Sequence, residues 1–271
     1  MQVELAQLTG RDGNTAHNLA QALQAIAACR AGTRLLVFPE TYLTGFPTPE
    51  NVAALAEPLD GPSLTAIGKA AAARGLAVAI GFAEDDGGTF YNTTVLMDGQ
   101  DIVLTYRKTH LWASDRGVFA PGDRYATALL DGVRVGLLVC FDIEFPESAR
   151  ALGELGAELL IVTNGNMDPY GPTHQTAIMA RAMENQAYAV MTNRVGAGDD
   201  GLVFAGGSAV VDPNGSLLLE AGREPCAQSI SLDFHRLAEA RRDYRYLEER
   251  RMTLPGTRID HANGVRELLI P

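Results

Sequence analysis

The chain has 271 residues, 46% of them hydrophobic, enough to bury a large core, and no linker divides it, so residues 1–271 are read as one domain. A formal net charge of −11 argues against a nucleic-acid partner, because a phosphate backbone wants a basic surface. No apolar run approaches the roughly 18 residues of a membrane span, the start Met1-Gln-Val-Glu-Leu5 lacks the basic, apolar pattern of a signal peptide, and no membrane partner is expected.

Taken in chain order, the pattern alternates strand and helix. Val3 to Leu8 reads as a strand, and Asn14 or Thr15 caps a helix to about Ala31 with Leu19, Leu23 and Ile26 at helical spacing. Leu35 to Phe38 is a second strand that ends at Glu40. Gly61-Pro-Ser63 starts a helix through Arg74, and Leu76 to Phe82 returns as a strand. Tyr91 to Met97 then pairs with Ile102 to Tyr106 across Asp98-Gly99, which delivers Lys108 to the end of the hairpin.

Val133 to Val139 carries no charge after Arg134 and reads as a strand buried on both faces; it ends at Cys140. Pro146 suits a first helical turn, and Glu147 to Gly156 places Ala149, Leu152 and Leu155 on one face. Leu159 to Val162 is a strand, Pro172 to Gln186 a helix, and Tyr188 to Thr192 a strand. Ser208 to Val211 and Ser216 to Leu219 form a hairpin across Asp212-Pro-Asn-Gly215. Phe234 to Asp243 is a short helix, and Tyr244 to Pro271 is charged and interrupted by Pro255 and Gly256. Two similar halves, each with helices on one sheet face and a second sheet on the other, fit an α/β four-layer α-β-β-α sandwich; periodicity alone also allows a single doubly wound sheet.

Cys140 lies on a sharp strand-to-helix connection, which exposes a nucleophile and leaves nearby backbone N–H groups free for an oxyanion. A lone cysteine can equally be core packing. Glu40 and Lys108 change that balance, because a carboxylate, an ammonium and a thiol at three strand ends can converge on one sheet edge. Gly196-Ala-Gly198-Asp-Asp-Gly201 matches a dinucleotide-binding pattern, but no helix begins within it; its glycines are expected to let a loop turn near the cleft. Cys29, Cys140 and Cys226 are an odd set without metal-ligand spacing, which points to a reducing, cytoplasmic home and to no metal.

Several segments together resemble the nitrilase superfamily of carbon–nitrogen hydrolases. They are Phe38-Pro39-Glu40, Tyr106-Arg107-Lys108, Phe119-Ala-Pro-Gly-Asp123, Cys140-Phe-Asp142, Arg181-Ala-Met-Glu-Asn-Gln186 and Asn193-Arg-Val-Gly196. The resemblance implies the sandwich fold and a Glu40–Lys108–Cys140 triad. It also implies a further acid between the lysine and the cysteine, where this chain has Asp115, one methylene shorter than the family's glutamate. No cofactor has a role in that chemistry. A homo-oligomer is implied, with about 240–271 as a C-terminal extension used in its contacts.

Cys140-Phe-Asp is more similar to the amidase branch than to nitrilases with Cys-Trp-Glu, so the expected substrate is a small aliphatic or amino-acid-like amide. An N-carbamoyl amine hydrolase, a nitrilase, or a non-catalytic binding protein on the same fold are the alternatives. In the expected reaction Glu40 accepts the thiol proton, Lys108 and the Phe141 backbone N–H hold the oxyanion, and a thioester is hydrolysed. Glu144 can face the pocket and pair with a substrate amine, or be a surface carboxylate at a helix start. Asn164, Met167, Tyr170 and His174 are candidate substrate contacts.

Overall fold

The computed structural model describes residues 1–271, Asp200 by its backbone alone. The first half contributes β1 (Gln2–Gln7), α1 (Thr15–Ala28), β2 (Leu35–Val37), α2 (Val52–Leu55), α3 (Pro62–Arg74), β3 (Ala77–Asp86), β4 (Thr89–Asp98) and β5 (Asp101–Arg107). The second contributes β6 (Arg124–Leu130), β7 (Val133–Val139), α4 (Pro146–Glu154), β8 (Leu159–Asn164), α5 (Gly171–Asn185), β9 (Tyr188–Asn193), β10 (Val195–Ala197), β11 (Val203–Ala205), β12 (Ala209–Val211) and β13 (Leu217–Glu220). The chain then adds β14 (Cys226–Ser231), α6 (Arg236–Asp243), α7 (Tyr246–Glu249), β15 (Thr257–Asp260) and β16 (Arg266–Leu269). None of the helices is long and apolar enough to cross a membrane.

A six-stranded sheet, β14-β1-β2-β3-β4-β5, stacks on an eight-stranded one, β13-β12-β9-β8-β7-β6-β16-β15. Side-chain parity explains the layering. Leu35, Val37, Ala77 and Ala79 belong to the core between the sheets, whereas the alternate residues Leu36, Val78 and Ile80 pack with Ile26 of α1 and Leu64 and Ile67 of α3. Gly136 marks the opposite outer face: a Cβ there would meet the Leu152 side chain of α4 at 2.8 Å, so only glycine lets that helix approach. The order is therefore helices, sheet, sheet, helices, as the four-layer reading expects.

Parallel pairing of β7, β8 and β9 puts their carboxyl ends at one rim, beside the end of β2. Thr94 of β4 and Thr163 of β8 share a hydrogen bond of 2.6 Å between the sheets, and the Glu40 N–H donates to the Asn164 carbonyl at 3.2 Å. Both contacts join the sheets beneath the rim.

Two differences from the sequence reading have physical causes, and a third segment behaves as expected. Residues 124–130 form β6 because Asp131 (φ 51°) and Gly132 (φ 80°) make a tight hairpin into β7, a turn signature the apolar pattern had obscured. Gly196–Gly201 turns as the sequence reading expects: β10 and β11 pair antiparallel around it, with Gly196 and Gly201 at positive φ. The charged tail is not all a free extension, because β15 and β16 pair with each other and β16 continues the sheet on β6. Removing residues 257–271 should uncover the β6 edge and lower Tm by about 2–4 °C or more, read by calorimetry; an unchanged Tm would show that the hairpin contributes no stability.

Candidate active site

Lys108 and Cys140 follow β5 and β7 directly and Glu40 comes just past β2 after Phe38-Pro39, so the termination of three strands at one rim sets their separation. The buried Lys108 ammonium donates to Glu40 Oε1 at 2.7 Å and to Asp115 Oδ2 at 2.6 Å. The shorter aspartate reaches because Asp115 closes a turn on the Trp112 carbonyl and accepts the Trp112 N–H at 2.9 Å. Asn92 of β4 donates to the same Glu40 oxygen at 2.8 Å. One cation thus stands between two carboxylates, and all three side chains are buried.

These neighbours set the protonation states. Burial pushes the Glu40 carboxyl above its ordinary range; the Lys108 ammonium opposes this and the Asp115 charge adds to it. Burial works against the charge on Lys108, but the two carboxylates outweigh it and hold the ammonium well above the usual lysine value. Burial, then the Glu40 charge, push the Cys140 thiol well above its usual value, while Lys108 and the Gly165 backbone N–H pull the other way. These neighbours favour the protonated thiol over the thiolate.

Cys140 has φ 46°, a left-handed conformation that a side-chain-bearing residue rarely adopts, and it opens a single 3₁₀ turn, Cys140–Glu144. The first N–H groups of such a turn, including that of Phe141, have no partner within it. Asp142, fully buried, holds the turn in place. It accepts from Tyr106 Oη (2.8 Å), Thr109 Oγ1 (2.9 Å), the His110 N–H (2.9 Å) and the Val139 N–H (3.1 Å). Its partners flank Lys108, so one carboxylate ties the nucleophile's turn to the lysine's segment. The sequence reading missed this residue; its signal was an acid two positions after the thiol on an otherwise apolar run.

A cavity of about 560 Å³ opens onto these groups. Of the residues expected there, Glu40, Lys108, Asp115, Cys140, Phe141, Glu144, Met167, Tyr170 and His174 line it. Asn164 does not; it lies behind the wall and faces His174 Nδ1 with its Oδ1 at 3.1 Å. Glu144 is neither a free surface carboxylate nor unpartnered, since its Oε1 faces His174 Nε2 at 3.0 Å. Trp112, Asn166, Phe46 and Phe204 also line the wall and were not foreseen. Phe46 and Phe204 stack at 5.6 Å, and Arg194, paired with Asp12, lies 4.2 Å over Phe204. Among the described residues no group of three or more His, Cys, Asp or Glu stands together as a metal site.

The geometry converges with three comparisons. The carbon–nitrogen hydrolase family model matches residues 2–242. The chain belongs to the carbon–nitrogen hydrolase family. This hydrolase is 60% identical over 270 residues to an "(R)-stereoselective amidase" of Pseudomonas sp., covering 100% of this chain and 98% of that protein. It is 35% identical over 195 residues to a "Nitrilase" of Pyrococcus abyssi, covering 70% and 73%. Among solved structures it resembles a variant of the amidase from Nesterenkonia sp. that carries the acetamide moiety of fluoroacetamide on its active-site cysteine. That match has a TM-score of 0.82 and 29% identity, over 93% of this chain and 94% of that one.

Gly165 gives the site a sharp test. A Cβ there would lie 2.7 Å from Glu40 Oε2 and 2.4 Å from the Phe46 ring, so the carbon–nitrogen hydrolase has room for neither. Gly165→Ala should displace the Glu40 carboxylate and lower kcat by about a hundredfold with the far-ultraviolet circular dichroism spectrum retained. Wild-type kcat in a folded variant would show that Glu40 tolerates the shift.

Proposed function

We propose that this protein is a thiol-dependent amidase that converts a small amide to its carboxylic acid and ammonia through a thioester on Cys140. The observation that carries the reading is the Cys140 thiol at the cavity floor beside the buried Glu40–Lys108 pair. An amide carbonyl is a weak electrophile, so attack needs charge stabilisation on oxygen and removal of the thiol proton at the same moment. As Sγ bonds to the carbonyl carbon, Glu40 takes the thiol proton. The oxyanion is held by the Lys108 ammonium and the Phe141 N–H, each contributing roughly 10²–10³ in rate. Glu40 passes its proton to nitrogen, the C–N bond breaks and ammonia leaves.

Water then attacks the thioester with Glu40 as base, a second oxyanion forms in the same place, and the C–S bond breaks as the thiol regains its proton. Asp115 acts as a positioning residue: its carboxylate fixes the lysine's Nζ and keeps it charged, so that Lys108 stabilises rather than donates a proton. The name of the 60%-identical relative supports stereoselectivity for the (R) form of a chiral amide. Exposed Tyr244, Tyr246 and Met252 support a homo-oligomer contact on the part of the tail left outside the sheet, and the free cysteines support a cytoplasmic location.

Ammonia release across amides, nitriles and N-carbamoyl amines tests the class, with Cys140→Ala as the blank. Amides should be turned over fastest, the (R) enantiomer at least about tenfold over the (S), and the variant should release none. Faster release from nitriles or carbamoyl amines would replace the amidase reading. The pH profile tests the base. Because the Glu40 value is raised, kcat/KM should fall on acidification at a pH above the ordinary carboxylate range, as the base becomes protonated. Because the Cys140 and Lys108 values are raised too, no loss should follow through mildly alkaline pH. An acid limb at or below the usual glutamate value would remove Glu40 from the role of base.

A further inference from the structure

Resting on the amide-hydrolase reading, we propose that Glu144 seats a protonated amino group in the acyl part of the substrate. Amides of amino compounds are then preferred, and acyl chains ending in a carboxylate are excluded.

The argument begins with which charges on the cavity wall already have partners. Asp12 is paired with Arg194, and Glu40 and Asp115 share the Lys108 ammonium. That leaves Glu144 and Asp199 as wall acids without a lysine or arginine partner among the described residues, while the wall's one lysine is already held by two carboxylates. An anionic acyl tail therefore meets no lysine or arginine free to bind it and two carboxylates that lack such a partner. A cationic tail meets the reverse.

Glu144 is also placed and braced as a recognition group. It closes the 3₁₀ turn that begins with Cys140, so a rigid backbone sets the span from thiol to carboxylate. The turn is itself pinned where Arg181 Nε donates to the Ile143 carbonyl at 3.0 Å. His174 of α5 is the titratable group that faces the carboxylate, and it takes only Oε1. Behind it, Asn164 is held in one orientation by an Nδ2 contact to Met191 Sδ at 3.3 Å, so the imidazole is fixed from both sides. Oε2 has no partner among the described residues, and the Glu144 side chain is 28% exposed at the cavity, open to a ligand.

A second, independent observation points the same way. Asn166 is 3% exposed on the cavity wall, and its Oδ1 is buried with no hydrogen-bond partner among the described residues. A buried acceptor without a donor is costly, and a small turn of the amide toward the cavity lets a substrate N–H satisfy it. The aromatic rings of Phe141, Trp112 and Tyr170, packed edge to face at 5.0 and 5.5 Å, offer a wall that tolerates an ammonium better than a carboxylate.

The test uses purified full-length chain and three probes: alaninamide, isobutyramide, which replaces its ammonium by a methyl group, and succinamic acid, whose acyl tail is anionic. At pH 7 kcat/KM for alaninamide should exceed that for isobutyramide by about tenfold or more, with succinamic acid the slowest. Glu144→Gln should bring the alaninamide to isobutyramide ratio to within about threefold, since the amide keeps the size and loses the charge. In the wild type the ratio should fall as pH rises past about 8, where the substrate amine loses its proton. That pH dependence shows that the ammonium itself is read even if the variant fails to fold, and the Glu144→Gln ratio assigns the reading to Glu144 rather than to Asp199. Equal turnover of alaninamide and isobutyramide, a ratio untouched by Glu144→Gln, or a ratio flat in pH would overturn the proposal and leave the amidase standing. No ammonia from any amide would instead overturn the amidase reading itself.

Discussion

Everything at the rim depends on one buried ammonium held between two carboxylates. Removing Lys108, Glu40 and Asp115 from water carries a desolvation cost that only close pairing offsets, at 2.7 and 2.6 Å. The pairing works because three segments far apart in sequence end at one place, and the Asn92 amide gives Glu40 a further donor. Two carboxylates to one ammonium leave the cluster with a net negative charge. Burial first, and then that imbalance, raise the Glu40 carboxyl and discourage a thiolate before substrate arrives, while the two carboxylates keep Lys108 charged against burial. The site is thereby suited to move one proton from sulfur to carboxylate while an existing cation meets the charge that develops on oxygen.

Aiming the thiol at that cluster is a backbone problem. The left-handed φ of Cys140 is a local strain that persists only where its surroundings over-determine it. Asp142 does so by accepting from both sides of the connection: the strand before the thiol and the segment after Lys108. On the other side, Gly165 lacks a side chain because the Glu40 carboxylate and the Phe46 ring occupy that space. Arg194, held by Asp12 and lying over Phe204, fixes the ribbon of β10 and β11 against the cavity.

Much of this was legible in sequence, for a physical reason. Strands buried on both faces are continuous apolar runs, so a charged or reactive residue just past their ends, as at Glu40 and Cys140, stands out, whereas Lys108 follows the edge strand β5 and was placed by its hairpin. Edge strands lack that contrast. Residues 226–231 alternate small and polar side chains, and residues 257–260 and 266–269 are charged because one face meets solvent, so their pairing was not visible. Asp142 and Gly165 escaped for another reason. Their roles come from contacts with residues distant in sequence, which no local spacing encodes. Asn164 was placed on the right strand end, but one strand position decides between the wall and the layer behind it.

The most direct measurement of the central claim is an ultraviolet difference titration of wild type against Cys140→Ala, which reads the thiolate of residue 140 alone. A cation shared by two carboxylates in a buried site predicts that thiolate absorbance develops only at pH above the ordinary cysteine value of about 8.5. A thiolate already present at pH 7 would mean that Lys108 stabilises sulfur in the resting enzyme, and would contradict the account.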